Sequence, residues 1–418
     1  MKGPKAAIAE VTPRYAWVIV ATGFSVTLTT IGAGRYLYPI VMPQMKEELG
    51  LNYGLAGALS SATMVGYLVS CVLGGMLAVR FGSKAIIALS TAALGLAMIG
   101  QAFVSLYAIA FLLMLVIGLG AGGAFIPAGG LVAAWVAPSR RGLFMSIVIL
   151  GANFGILAVA LLGPIILLAN GGTGWRPAWV YFGLAAILVA AASLVLIRDR
   201  PPEAAGRQGG LPQSPGSSSL NWGAVFRNRA MLQLTTAYFF HGFFSVYAVF
   251  IIAFATQGLG HSTQFAGSLW SFASVLSAAT LILWGHLADA WGRKQTMIPC
   301  ATVLCAGILL PVLRQDDASL WVSAFLFGIA YVGPMTIITT VAGDLAGPGM
   351  AAAAMGLVTM GHGLGQMAGP AIAGFLIDLT GSFYPGFLIA SAAILVEIIV
   401  VASLPLGGDR RGAEVKAG

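Results

Sequence analysis

The chain is a succession of twelve long apolar stretches separated by short polar loops. A helix of about 20 apolar residues crosses the roughly 30 Å hydrocarbon core of a bilayer. Lipid offers no partner to backbone N–H and C=O groups, so each stretch must satisfy them within itself. The expected fold is therefore an all-α membrane protein with twelve transmembrane helices. Only 8% of the residues are charged, against about 25% in a soluble domain. The 56 glycines fit close helix packing in lipid rather than disorder.

In the first half the helices are expected over about Tyr15 to Ile40, Tyr53 to Val79, Lys84 to Val104, Tyr107 to Val136, Gly142 to Ala169, and a sixth ending near Ile197. Lys46-Glu47-Glu48 falls in an outer loop on this reading, and the Gly-rich stretch from Gly118 to Gly130, with Pro127, interrupts the fourth helix. The second half reads Ala230 to Thr256, Gln264 to Ala288, Gln295 to Leu313, Leu320 to Ala342, Ala351 to Leu376 and Phe383 to Leu404. Between them, residues 198–229 are rich in Pro, Gly, Ser and Gln and read as a flexible cytoplasmic linker. The domains are thus 1–197, the linker 198–229, and 230–418. The N-terminus lacks a short apolar core with a cleavage site, so the first stretch reads as a retained helix. Cys71, Cys300 and Cys305 lie inside apolar runs and read as inert thiols.

The halves are copies. Gly75-Met76-Leu77-Ala78-Val79-Arg80-Phe81-Gly82-Ser83-Lys84 returns as Gly285-His286-Leu287-Ala288-Asp289-Ala290-Trp291-Gly292-Arg293-Lys294, and the glycines differ by 285 − 75 = 210. The same offset relates Ala56-Gly57 to Ala266-Gly267, Leu49-Gly50 to Leu259-Gly260, and Gly151 to Gly361. Duplication of this kind is the usual origin of a carrier's two halves.

The net charge of +8 follows topology. With loops placed on alternate sides, Lys46, Arg176 and Arg314 lie outside and Arg35 lies within a helix, so 17 of the 21 basic residues face one side. The positive-inside rule makes that side cytoplasmic, together with both termini. No nucleic-acid partner is implied. No nucleotide-binding loop, nucleophile–base pair or metal cluster is present in the sequence, so neither an enzyme nor a cofactor is expected.

The loop pattern Gly-x-Leu-Ala-Asp-x-x-Gly-Arg-Lys, complete at Gly285 to Lys294, resembles that of the major facilitator superfamily of secondary transporters, and the likeness extends over the whole chain. The first copy keeps Gly75, Gly82 and Lys84, but Val79 replaces the acid and Ser83 the arginine. The resemblance implies a conformational latch at Gly75, Gly82, Lys84, Asp289, Gly292, Arg293 and Lys294, with its charged part in the second copy, and a monomeric carrier in a bacterial inner membrane. Gly32-Ala33-Gly34-Arg35-Tyr36-Leu37-Tyr38-Pro39 is similar to the first-helix signature of the YbfB/YjiJ-like branch, and more loosely to monocarboxylate and oxalate–formate carriers.

Polar residues at membrane depth are costly unless they serve a cavity. Arg35, followed by Tyr36 and Tyr38, offers a guanidinium that can hold a carboxylate or sulfonate bidentately. It lies 21 residues after Arg14, about 30 Å of helix, so the competing reading is an anchor at the outer interface. Asn153, His241 and His362 fall near the midplane, and a histidine there can exchange a proton or simply bond a neighbouring helix. Tyr247 and Tyr331 could bind an anion through their hydroxyls or serve as packing residues. Glu397 is either a proton carrier or a neutral, paired carboxyl; Asp344 and Asp378 sit at helix ends in structural positions. The expected function is alternating-access transport of a small organic anion, monocarboxylate-like, in symport with a proton. A proton-coupled exporter is the alternative, and its family pattern wants a helix-1 acid and a helix-4 arginine that this chain lacks.

Overall fold

The computed structural model describes residues 13–136, 140–170, 174–199, 228–346 and 351–405. The tails and most of the expected linker (200–227) lie outside the described residues. Twelve helical spans follow in order: α1 Tyr15–Glu48, α2 Tyr53–Phe81, α3 Ser83–Gln101, α4 Tyr107–Trp135, α5 Arg141–Ala169 and α6 Trp175–Leu196, then α7 Arg229–Gly258, α8 Thr263–Trp291, α9 Arg293–Leu313, α10 Asp317–Ala346, α11 Ala351–Thr380 and α12 Tyr384–Ala402. Ten of these pass singly as membrane spans and α8, a bent pair, makes an eleventh. The remaining span, α11, is long enough, but His362, Gln366 and its run of glycines lower its mean hydropathy.

Two boundaries correct the sequence reading. The first helix does not end near Ile40: it continues through Pro39 and Pro43 to Glu48, with a π-helical stretch at Leu28–Ala33. Glu48 is held there by Arg176 (Nη2–Oε1 2.7 Å) and by the Trp175 indole (2.6 Å), which fastens the end of α1 to the start of α6. The Gly-rich part of α4 is unbroken helix from Tyr107 to Trp135, Pro127 included. Several of its glycines pack against neighbouring helices: a Cβ on Gly122 would meet the Tyr67 carbonyl of α2 at 2.6 Å, and one on Gly120 the Ser90 carbonyl of α3 at 2.5 Å.

The described residues form two compact units, 1–213 with 249–274, and 214–248 with 275–418. The segment 249–274, the end of α7 and the start of α8, therefore groups with the first unit although it belongs to the second sequence copy.

The 210-residue repeat is visible in the backbone. Gly50 and Gly260 both adopt left-handed φ (62° and 77°), and so do Gly82 and Gly292 (87° and 96°). In the first unit α1 crosses α5 where a Cβ on Gly32 would lie 2.5 Å from the Cα of Gly155. In the second, α7 crosses α11 where a Cβ on Gly242 would lie 2.5 Å from the His362 carbonyl and 2.8 Å from Gly365. Gly151-x-x-x-Gly155 and Gly361-x-x-x-Gly365 supply the small faces that let these helices touch, the small-xxx-small device of membrane packing.

α10 is broken at its centre. Pro334 has no N–H, so the carbonyl of Ala330 loses its helical donor, and the helix lapses into a turn at residues 331–332 before resuming at Gly333.

Candidate functional site

In the first unit the residues around Arg35 come from α1 and α2. The Arg35 guanidinium carbon lies 4.6 Å from the centre of the Tyr67 ring and 5.9 Å from that of Tyr36, and Nη2 lies 3.8 Å from the Met64 sulfur. Tyr67 is 14 residues from either end of α2 (67 − 53 and 81 − 67), about 21 Å from each at 1.5 Å per residue. The guanidinium thus sits at the mid-length of α2, and α1 runs on beyond it to Glu48. A ring face stabilises the cation without neutralising it. Tyr36 stacks on Trp270 (centroids 6.4 Å apart, planes 23°). Tyr38 does not join this cluster: it is buried, and its hydroxyl donates to the Ala56 carbonyl at 2.7 Å, tying α1 to α2. Asn153 is half-buried on α5, on the same helical face as Ala160 and Pro164, which lie about two and three turns further along. Those two residues meet Ser271 and Gly267 of α8.

The second unit gathers the histidines. His241 is fully buried; its Nδ1 lies 3.0 Å from Glu397 Oε2 of α12 and its Nε2 3.0 Å from the Tyr331 carbonyl of α10. A carbonyl can only accept, so Nε2 carries a hydrogen. Nδ1 and Oε2 then share one proton, either as imidazolium and carboxylate or as imidazole and carboxylic acid. Glu397 Oε1 is buried with no hydrogen-bond partner.

His362 is built differently. Its ring stacks on Tyr238 (4.1 Å, 12°) and lies 5.5 Å from the His241 ring. Nδ1 donates to the Tyr238 carbonyl (3.3 Å), and Nε2 accepts from the Gln366 amide (2.6 Å). Both contacts fit a neutral imidazole. Tyr247 is buried, pairs with the Ser323 hydroxyl at 2.8 Å and stacks on Phe327 at 4.2 Å. The Tyr331 hydroxyl reaches Ser277 at 3.4 Å, and its ring stacks on Phe327 at 5.0 Å.

The loop residues lie apart from both clusters. Gly82 and Gly292 make the turns between helices, and Gly75 continues α2 as ordinary helix. Arg293 pairs with Asp344 of α10, and Lys294 Nζ donates to the Leu404 carbonyl at 3.0 Å. In the first unit Asp199, beyond α6, accepts the backbone N–H of Lys84 at 2.7 Å. A carboxylate therefore serves this loop despite Val79.

Tyr67, Met64, Trp270, Gln366 and Asp199 escape the sequence reading. Gln366 could have been found, since it stands four residues after His362 on one helix face. Tyr67 could have been found as the central residue of its span.

A family profile described as "Uncharacterised MFS-type transporter YbfB" matches residues 27–402. The chain is 24% identical over 389 residues to the "Probable sulfoacetate transporter SauU" of Cupriavidus necator, covering 87% of this chain and 88% of that protein. It is 26% identical over 425 residues to the "Probable galactarate/D-glucarate transporter GudP" of Bacillus subtilis, covering 92% and 90%. Mouse monocarboxylate transporter 11 is 26% identical over 403 residues, covering 94% and 88%. Among solved structures, a D-xylose–proton symporter superposes with a TM-score of 0.77 at 16% identity, covering 93% of this chain and 98% of that one. The nucleoside transporter NupG superposes at 0.77 with 13% identity, covering 94% and 99%. These two likenesses concern the fold.

Proposed function

Since the chain belongs to the YbfB-type branch of the major facilitator superfamily and is an integral membrane transporter, we propose that it carries a small organic anion in symport with a proton. The observation that supports this reading is the placement of Arg35. A permanently charged guanidinium at the mid-length of an apolar helix pair is costly, and an anion is the ligand that repays it. The transporters named above for sulfoacetate, glucarate and monocarboxylates are all named for organic acids. Arg35 holds the carboxylate or sulfonate as a fork, Tyr36, Tyr67 and Trp270 give it an aromatic wall, and Asn153 offers an amide at similar depth.

The proton is carried in the second unit, where His241, Glu397 and His362 cluster. His241 and Glu397 share a proton that can leave, whereas His362 is satisfied as a neutral ring and serves to position its neighbours. Tyr247 and Tyr331 pack this cluster. The loops at Gly75, Gly82, Lys84 and at Asp289, Gly292, Arg293, Lys294 act as the latch on the cytoplasmic side of an inner membrane. Both termini are cytoplasmic, and the carrier works as a monomer of two six-helix halves joined by residues 198–229.

The test is thermal stabilisation of the purified protein by small carboxylates, sulfonates, organic cations and neutral sugars at pH 5.5 and 7.5, beside Arg35→Gln. Stabilisation by one anion class, stronger at the lower pH and lost in the variant, is expected. Stabilisation by lipophilic cations, undiminished in Arg35→Gln, would overturn the anion reading in favour of a drug exporter.

A further inference from the structure

The break in α10 is stitched by its neighbours. Three successive carbonyls at the break, with Ala330 the one that Pro334 deprives of its helical donor, each receive a side chain from a different helix. The Trp284 indole of α8 donates to Ile329, the Cys300 thiol of α9 lies 3.2 Å from Ala330, and His241 Nε2 of α7 donates to Tyr331 at 3.0 Å. Unsatisfied carbonyls in a dry interior are expensive, and these donors take the place of the missing helical N–H groups. Only one of the three donors titrates together with a carboxylate.

We propose that His241 and Glu397 form a one-proton store whose occupancy sets the cap on the α10 break. This deepens the proton-coupling reading by naming the carrier and the element it moves. In the loaded state two hydrogens serve two contacts: one on Nε2 facing Tyr331, and one between Nδ1 and Oε2. When the store gives up its proton, the imidazole keeps a single hydrogen and Glu397 is a carboxylate. That hydrogen can face the carboxylate or the carbonyl, not both. The charge-assisted bond is the stronger, so the hydrogen moves to Nδ1. Nε2 then presents a lone pair to the Tyr331 oxygen, and the two repel. The cap is lost, and α10 is free to bend at residues 331–332.

The groups facing the pair are Tyr238 on its own helix, Cys300 and Cys305 of α9, Tyr331 of α10 and His362 of α11. Thiols and phenols stay neutral across the range in question, and the hydrogen bonds of His362 fit its neutral form. The charge of the pair is therefore set by its own proton. Emptying it leaves a carboxylate in a dry interior, so release is paired with entry of water at the break that the lost cap opens.

Hydrogen–deuterium exchange of the full-length protein in nanodiscs, read by mass spectrometry over residues 329–337, tests this without any substrate. After correction for intrinsic exchange, protection in the wild type is expected to be about tenfold lower at high pH than at low pH, the equivalent of one hydrogen bond. Glu397→Gln keeps a donor toward Nδ1 and leaves Nε2–H on Tyr331, so its protection is expected to be independent of pH. Glu397→Met, which leaves the lone hydrogen nothing but the carbonyl, is expected to be flat as well and covers the case in which the amide misfolds. A pH-independent wild type, or a response that survives in either Glu397 variant, would overturn the proposal. Either result leaves the Arg35 anion reading to its own binding test.

Discussion

The glycine crossing beneath Arg35 can be loaded by one methyl group. A Cβ on Gly32 would lie 2.5 Å from both the Ala152 oxygen and the Gly155 Cα, whereas ordinary contact begins at 3.4 Å. Both obstacles are backbone, so no side chain can swing aside. Gly32→Ala must push α1 away from α5 by roughly 0.9 Å (3.4 − 2.5), and overpacking of this kind costs about 1–3 kcal/mol. The helix preference for alanine returns about 1 kcal/mol at most. Arg35 stands one turn beyond Gly32, so its guanidinium moves with the helix, and an error of that size is enough to lower the affinity of a fixed fork on the order of tenfold or more. Gly242→Ala should act likewise on α7 and α11. Gly130→Ala and Gly356→Ala serve as controls, because a Cβ at either position meets nothing within 4 Å and only the helix gain remains. Melting curves in detergent, read with anion stabilisation of the melt, give the answer. The crossing variants should melt several degrees lower and bind anion more weakly, and the controls should melt at or slightly above wild type. Equal melting of all four with wild type would refute the claim that backbone contact sets these crossings.

Tyr247→Phe removes one hydrogen bond to Ser323 and keeps the ring stack, so it should cost about 1 kcal/mol of stability with anion stabilisation intact; loss of anion binding would make Tyr247 a ligand rather than a packing residue. Asp199→Ala deletes the carboxylate at the start of α3 and should cost about 0.5–2 kcal/mol, seen as a lower melting temperature, whereas an unchanged melt would mean the contact is idle. Arg293→Gln breaks a pair whose side chains are 31% and 62% exposed, so stability should change by less than about 1 kcal/mol. Its effect is expected on transport rate in proteoliposomes, and an unchanged rate would remove Arg293 from the latch.

The repeat was the most legible feature because it recurs in residues that the backbone itself demands. Gly50 and Gly82 need left-handed φ, their copies at 260 and 292 need it again, and no other residue type adopts it cheaply. The end of α1 was not legible. The polar run to Lys46-Glu47-Glu48 reads as a loop, and nothing local announces that Arg176 and Trp175, far along the chain, hold Glu48 in helix. Glycines in α4 misled in the same way: they suggest a break in isolation and form packing faces once α2 and α3 lie against them. The union of His241 with Glu397 spans 156 residues. Each is visible as a polar residue at membrane depth, but their pairing is a product of the fold.

Duplication kept the backbone and divided the chemistry. Subtracting 210 from His241 gives Ile31, from His362 gives Ala152, and from Glu397 gives Ile187, so the first copy is apolar wherever the second holds its proton-bearing groups. Adding 210 to Arg35 gives Ser245, so the second copy is uncharged where the first holds its cation. Pro334, which opens α10, corresponds to Ala124 in the unbroken α4. In the proposed coupling the pair acts on the cap of α10 and not on the charge at Arg35. Glu397→Gln should then leave the binding of anion to Arg35 within about threefold of wild type, while abolishing accumulation driven by a proton gradient. A loss of binding as deep as that of Arg35→Gln would mean that the two charges meet directly.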